Sequence, residues 1–125
     1  MDNKEIVRAG KNEIARATVI IKIYQPTEMI KTHRNIKSVS DIMISECKGI
    51  SSLVKEIGED KIQALIELHI WQLNSTMNLN NKLNESQVME IAIEIMSIYY
   101  YLSMEDIFLV FRKAKRGEWG KAYGS

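Results

Sequence analysis

Glu59-Asp60-Lys61-Ile62-Gln63-Ala64-Leu65-Ile66-Glu67-Leu68-His69-Ile70-Trp71-Gln72-Leu73-Asn74 is the stretch whose reading decides the fold. Ile62, Leu65, Ile66, Ile70 and Leu73 recur at three- and four-residue spacing, so a helix would carry them as one stripe down four turns. Glu59, Lys61, Gln63, Glu67 and Gln72 fall on the other side. The pattern predicts a core-facing helix over 60–74, with Trp71 one residue off the stripe, at the rim of the core or on an interface.

Working towards the C-terminus, residues 74–83 read as an asparagine-rich loop. Asn84 with Gln87 three residues on is the capping-box spacing, and it predicts a helix over 85–100. Val88, Ile91, Ile95, Ile98 and Tyr99 make its apolar stripe, with Glu90 and Glu94 outward. Ser103 with Asp106 repeats the signal and opens a helix over 104–116, carrying Ile107, Val110, Phe111 and Ala114. Gly117 stops it after a turn rich in Lys and Arg, which suits the helix dipole. Two capped helices so closely joined predict a helical hairpin. Tyr99, Phe108 and Phe111 read as core, whereas Tyr100 and Tyr101 cannot both share that face.

Towards the N-terminus, Ser51 to Ile57 reads as a short helix closed by Gly58. Ser38 and Ser40 are candidate caps, with Asp41 in the first turn of a helix through Ile42, Ile44 and Cys47 towards Gly49. Residues 27–38 are polar and basic and read as a connection or a poorly ordered arm. Before it, Ile6, Ala9, Ala17, Ile20 and Tyr24 predict a helix from Asn3 to Tyr24, with Ile14 at the edge of its face, ended by Gln25-Pro26. Val19, Ile21 and Ile23 also alternate as a strand would. The expectation is all-α: a small single-domain bundle of five or six helices spanning 1–125. Helices 60–74, 85–100 and 104–116 form its main core, and a glycine- and aromatic-containing segment runs over 117–125.

A length of 125 residues, with 46% hydrophobic and 26% charged, fits one ordinary globular domain. The longest purely apolar run, Val19-Ile20-Ile21, is far short of a membrane helix, so no membrane is expected. The first twenty residues lack the continuous apolar core of a signal peptide, and the lone Cys47 cannot form an internal disulfide. A cytoplasmic location is the expectation. The net charge of +1 hides segregation. Residues 1–40 hold eight Lys and Arg against four acids, and residues 41–106 four against eleven. Residues 107–125 hold five against one. Either the basic ends fold back on the acidic middle, or one of them meets a polyanion.

Motifs that carry chemistry are few. His33, His69 and Cys47 have no metal-ligand spacing, and Glu90 with Glu94 lacks the Glu-x-x-His partner of a di-iron bundle, so no metal is expected. No glycine-rich phosphate loop occurs. Cys47 paired with His33 or His69 could be a nucleophile, but a cysteine among apolar residues on a helix is more often structural. No enzyme, cofactor or small-molecule ligand is evident. The constellation that remains is Arg112, Lys113, Lys115, Arg116, Trp119, Lys121 and Tyr123. Cations beside large aromatics can seal a core, anchor a protein partner, or neutralise phosphates while stacking on bases. A helix-turn-helix reading of 85–116 fails because Glu105 and Asp106 stand in the first turn of the would-be reading helix.

Leu83-Asn84-Glu85-Ser86-Gln87, Leu102-Ser103-Met104-Glu105-Asp106-Ile107, Phe111-Arg112-Lys113-Ala114-Lys115-Arg116-Gly117 and Trp119-Gly120-Lys121-Ala122-Tyr123-Gly124 together resemble a pattern of uncharacterised proteins from bacterial phages and mobile elements. The layout is also loosely similar to the small helical domains of non-ATPase phage helicase loaders. The resemblance covers the last third of the chain. It implies a non-catalytic adaptor in phage or mobile-element DNA replication, docking a protein such as a replicative helicase through the basic aromatic segment. The alternative is sequence-tolerant nucleic-acid binding by that segment with the basic N-terminal region.

Overall fold

Seven helices and no strand make up the described part of the computed structural model, which covers residues 14–44, 47–76 and 82–117. They are α1 (14–23), α2 (Pro26–Thr32), α3 (Val39–Ile44), α4 (Ile50–Ile57), α5 (Glu59–Thr76), α6 (Glu85–Ile98) and α7 (Met104–Lys115). The all-α architecture is the one expected. Ile6 and Ala9 lie outside the described residues.

Helix α5 is the axis, and α2, α4, α6 and α7 all pack on it. Its Ile62, Leu65, Ile66 and Ile70 are buried with Ile20 and Tyr24 near the end of α1, Met29 of α2, Ile50 and Leu53 of α4, Val88 and Ala92 of α6, and Met104, Ile107 and Phe108 of α7. Hydrophobic burial in one such cluster is the main favourable term for folding. Helices α6 and α7 pack chiefly on α5 rather than on each other, so the expected hairpin is a pair of neighbours bridged by a third helix.

Both predicted capping boxes are present. Asn84 Oδ1 accepts from the Gln87 amide at 2.9 Å while Gln87 Oε1 accepts from the Asn84 amide at 2.9 Å. Ser103 Oγ accepts from the Asp106 amide at 3.1 Å and Asp106 Oδ2 from the Ser103 amide at 2.9 Å. Each box satisfies two donors that a helix start leaves open. Gly58 alone joins α4 to α5 at φ 98°, a conformation that strains any residue with a Cβ.

Four expectations need correction. Residues 26–32 form a helix, not a connection: Pro26 ends α1 but also opens α2 at its first turn, where a missing N–H costs nothing. Pro26 and Met29 are buried on the side facing the core. Cys47 lies in a non-helical stretch and is half-buried rather than buried on a helix. The α6 stripe is centred on Val88 and Ala92, flanked by Ile91, Ile95 and Met96. Ile98 and Tyr99 are exposed, because the helix ends at Ile98 and the backbone leaves the helical path at Tyr99 (φ −110°, ψ 33°). Extrapolating a period past the end of its helix misplaced that ring. On α7, Val110 is likewise exposed, and the buried set is Met104, Glu105, Ile107, Phe108 and Leu109.

Candidate functional site: a basic cleft and a tyrosine turn

The last turn of α7 divides its cations into two kinds. Arg112 Nη1 donates to the backbone carbonyls of His33 (3.3 Å), Arg34 (2.9 Å) and Ile36 (3.3 Å), and its guanidinium lies 5.9 Å from the centroid of the Phe108 ring. One side chain thus ties α7 to the loop that follows α2. Lys115 Nζ donates to Gln72 Oε1 at 2.9 Å, and burial holds its pKa below the ordinary lysine value. Lys113 and Arg116 make no side-chain hydrogen bond or ion pair to another described residue, and Arg116 is exposed. Trp119, Lys121 and Tyr123 lie outside the described residues. The bonded cations of α7 therefore use carbonyls and an amide, and not the carboxylates of the acidic middle of the chain.

Helix α2 and the loop that follows it bring two more cations to the same place. Lys31 and Arg34 join Arg112 and Lys115 around a cleft of about 630 Å³, completed by Ile30 and Phe108. The sequence reading put Lys31 and Arg34 in a polar connection and missed their convergence with α7. The signal available was the excess of eight cations over four acids in residues 1–40.

At the other end of α7, the turn after α6 displays Tyr99, Tyr100 and Tyr101 at 44%, 55% and 63% exposure. Their rings meet edge to face, with centroids 6.3 Å apart for Tyr99 and Tyr101 and 5.7 Å for Tyr100 and Tyr101. The backbone beneath them is clamped. Ile50 N–H donates to the Leu102 carbonyl at 2.7 Å, Ser51 N–H to the Tyr100 carbonyl at 3.0 Å, and Leu102 N–H to the Tyr99 carbonyl at 2.9 Å.

A second cleft, of about 620 Å³, is lined in part by the His33–Ile36 loop and takes in Tyr24, Cys47 and Glu105. Glu105 is only 5% exposed; its Oε1 is 3.8 Å from His33 Nε2 and its Oε2 has no hydrogen-bond partner among the described residues. Burial pushes the Tyr24 hydroxyl up to about 12, with the Glu105 charge adding to the effect. His69 is committed elsewhere. Its Nε2 faces the Tyr24 carbonyl at 2.8 Å, and because a carbonyl only accepts, Nε2 carries the proton. Of the two histidines considered as partners for Cys47, only His33 shares its cleft.

Among the described residues, no group of three or more His, Cys, Asp or Glu is placed to hold a metal ion. No described helix is long and apolar enough to cross a membrane. No family model, curated protein or solved structure matches the chain.

Proposed function

We propose that this domain is a non-catalytic adaptor that docks a protein partner, and that the tyrosine turn is a principal contact. The observation that carries the reading is the display of Tyr99, Tyr100 and Tyr101 on a clamped backbone. Tyrosine offers a large contact area with few rotatable bonds, so little entropy is lost on binding, and aromatic anchors supply most of the energy of protein interfaces. Three such rings held in mutual contact on a rigid turn are pre-ordered for that role. The resemblance of the C-terminal third to phage and mobile-element proteins supplies the setting: an accessory role in DNA replication like that of a helicase loader, with a replicative helicase as the partner.

The test is calorimetric titration of the full chain with a purified bacterial replicative helicase. A double Tyr100→Ser, Tyr101→Ser variant should keep its helical circular dichroism and lose at least tenfold in affinity, which is about 1.4 kcal/mol. Affinity that is unchanged in a folded double variant, or no binding by the parent chain, removes the reading.

A further inference from the structure

We propose that the cleft between α2 and α7 is a phosphate-binding site, formed by Lys31, Arg34, Arg112 and Lys115. The site shares no residue with the tyrosine turn and does not depend on the adaptor reading.

Four positive side chains, from α2, the loop after it and α7, converge on one concavity, and among the described residues no carboxylate lines it. Like charges brought together repel, and within a concave, partly apolar wall the repulsion is less screened than on a flat surface. A fold that tolerates this arrangement has a site whose free energy falls when an anion enters. The four cations divide the work. Arg112 and Lys115 are held in place by the His33, Arg34 and Ile36 carbonyls and by Gln72, so they contribute a fixed field. Lys115 is also partly desolvated, which lowers its pKa, and a nearby anion would favour its charged form. Lys31 and Arg34 are exposed and have no side-chain partner among the described residues, so their donors are available to the ligand.

The class of anion follows from the donors. Guanidinium and ammonium groups match phosphate oxygens, bidentately in the case of arginine. Phe108 is buried beneath Arg112, so its ring closes the floor of the cleft and is not presented for stacking on a base. Recognition therefore rests on the phosphate and is indifferent to sequence. Such a phosphate can belong to the backbone of single-stranded nucleic acid or to a free phosphorylated molecule.

Fluorescence anisotropy of a labelled oligodeoxythymidine of about twelve nucleotides, a length one small domain can cover, tests the first source, and competition by pyrophosphate tests the second. Binding to the full chain should weaken roughly tenfold or more between about 50 and 200 mM salt, as expected when about three phosphates are neutralised on a single strand. A Lys31→Glu, Arg34→Glu double variant changes two exposed side chains and should retain the parent's urea midpoint. It should lose at least tenfold in affinity and show a flatter salt dependence. Strong binding of the oligonucleotide with weak competition by pyrophosphate assigns the site to a nucleic-acid backbone. Tight pyrophosphate binding, lost in the double variant, with weak oligonucleotide binding assigns it to a free phosphorylated ligand. Equal affinities for parent and double variant, or no binding of either probe, overturn the proposal and leave a solvated basic surface.

Discussion

His69 shows how one buried side chain sets a pH limit on the whole domain. Burial lowers its pKa from the ordinary 6.5 to about 4, with the bond to the Tyr24 carbonyl only partly opposing this. Between those two values the unfolded chain binds a proton that the folded chain refuses, so stability rises with pH across the window. The contribution is complete above about 6.5 and is lost as the pH falls towards 4. The span corresponds to roughly 3 kcal/mol. The urea midpoint should therefore drop between about pH 7 and pH 5, and His69→Gln should flatten that drop. A parent chain whose midpoint does not move over this interval contradicts the account. At the same scale, Glu105 could not be recognised from sequence as a buried group. A carboxylate in a first turn ordinarily faces water, and its burial depends on the His33–Ile36 loop that Arg112 holds against α7, a contact between residues nearly eighty positions apart.

Elements whose signals are local were legible, and those whose signals are tertiary were not. Asn84 with Gln87 and Ser103 with Asp106 carry their caps within four residues, and both starts of helix stand where the spacing put them. Ser103→Ala should cost about 1 kcal/mol in urea denaturation, because it leaves the Asp106 amide without its acceptor at a buried helix start. An unchanged midpoint would mean that water replaces the hydroxyl there. Helix α2 was missed for the opposite reason. Seven residues with a proline at the front have little helical preference of their own, and what stabilises them is Met29 in the core. The basic cleft inherits that difficulty, since Lys31 and Arg34 reach Arg112 and Lys115 only because α2 is a helix docked on α5.

At the scale of the molecule, the described helices meet mainly through side chains, with one exception among the described residues. The first two amides of α4, those of Ile50 and Ser51, donate to carbonyls of the tyrosine turn about fifty residues away, where the N-cap Gly49 offers no side-chain acceptor. First-turn amides ordinarily trade their hydrogens with water quickly. In native-state deuterium exchange, these two should instead be protected to a degree approaching that of the core amides of α5, and fast uptake at both would show that the clamp opens readily. A protein that grips those phenol rings and tugs is therefore pulling on the root of another helix. The strain would register as quickened deuterium uptake at Ile50 and Ser51, and Leu53, one turn further along α4, would carry it into the wall of the Glu105 cavity.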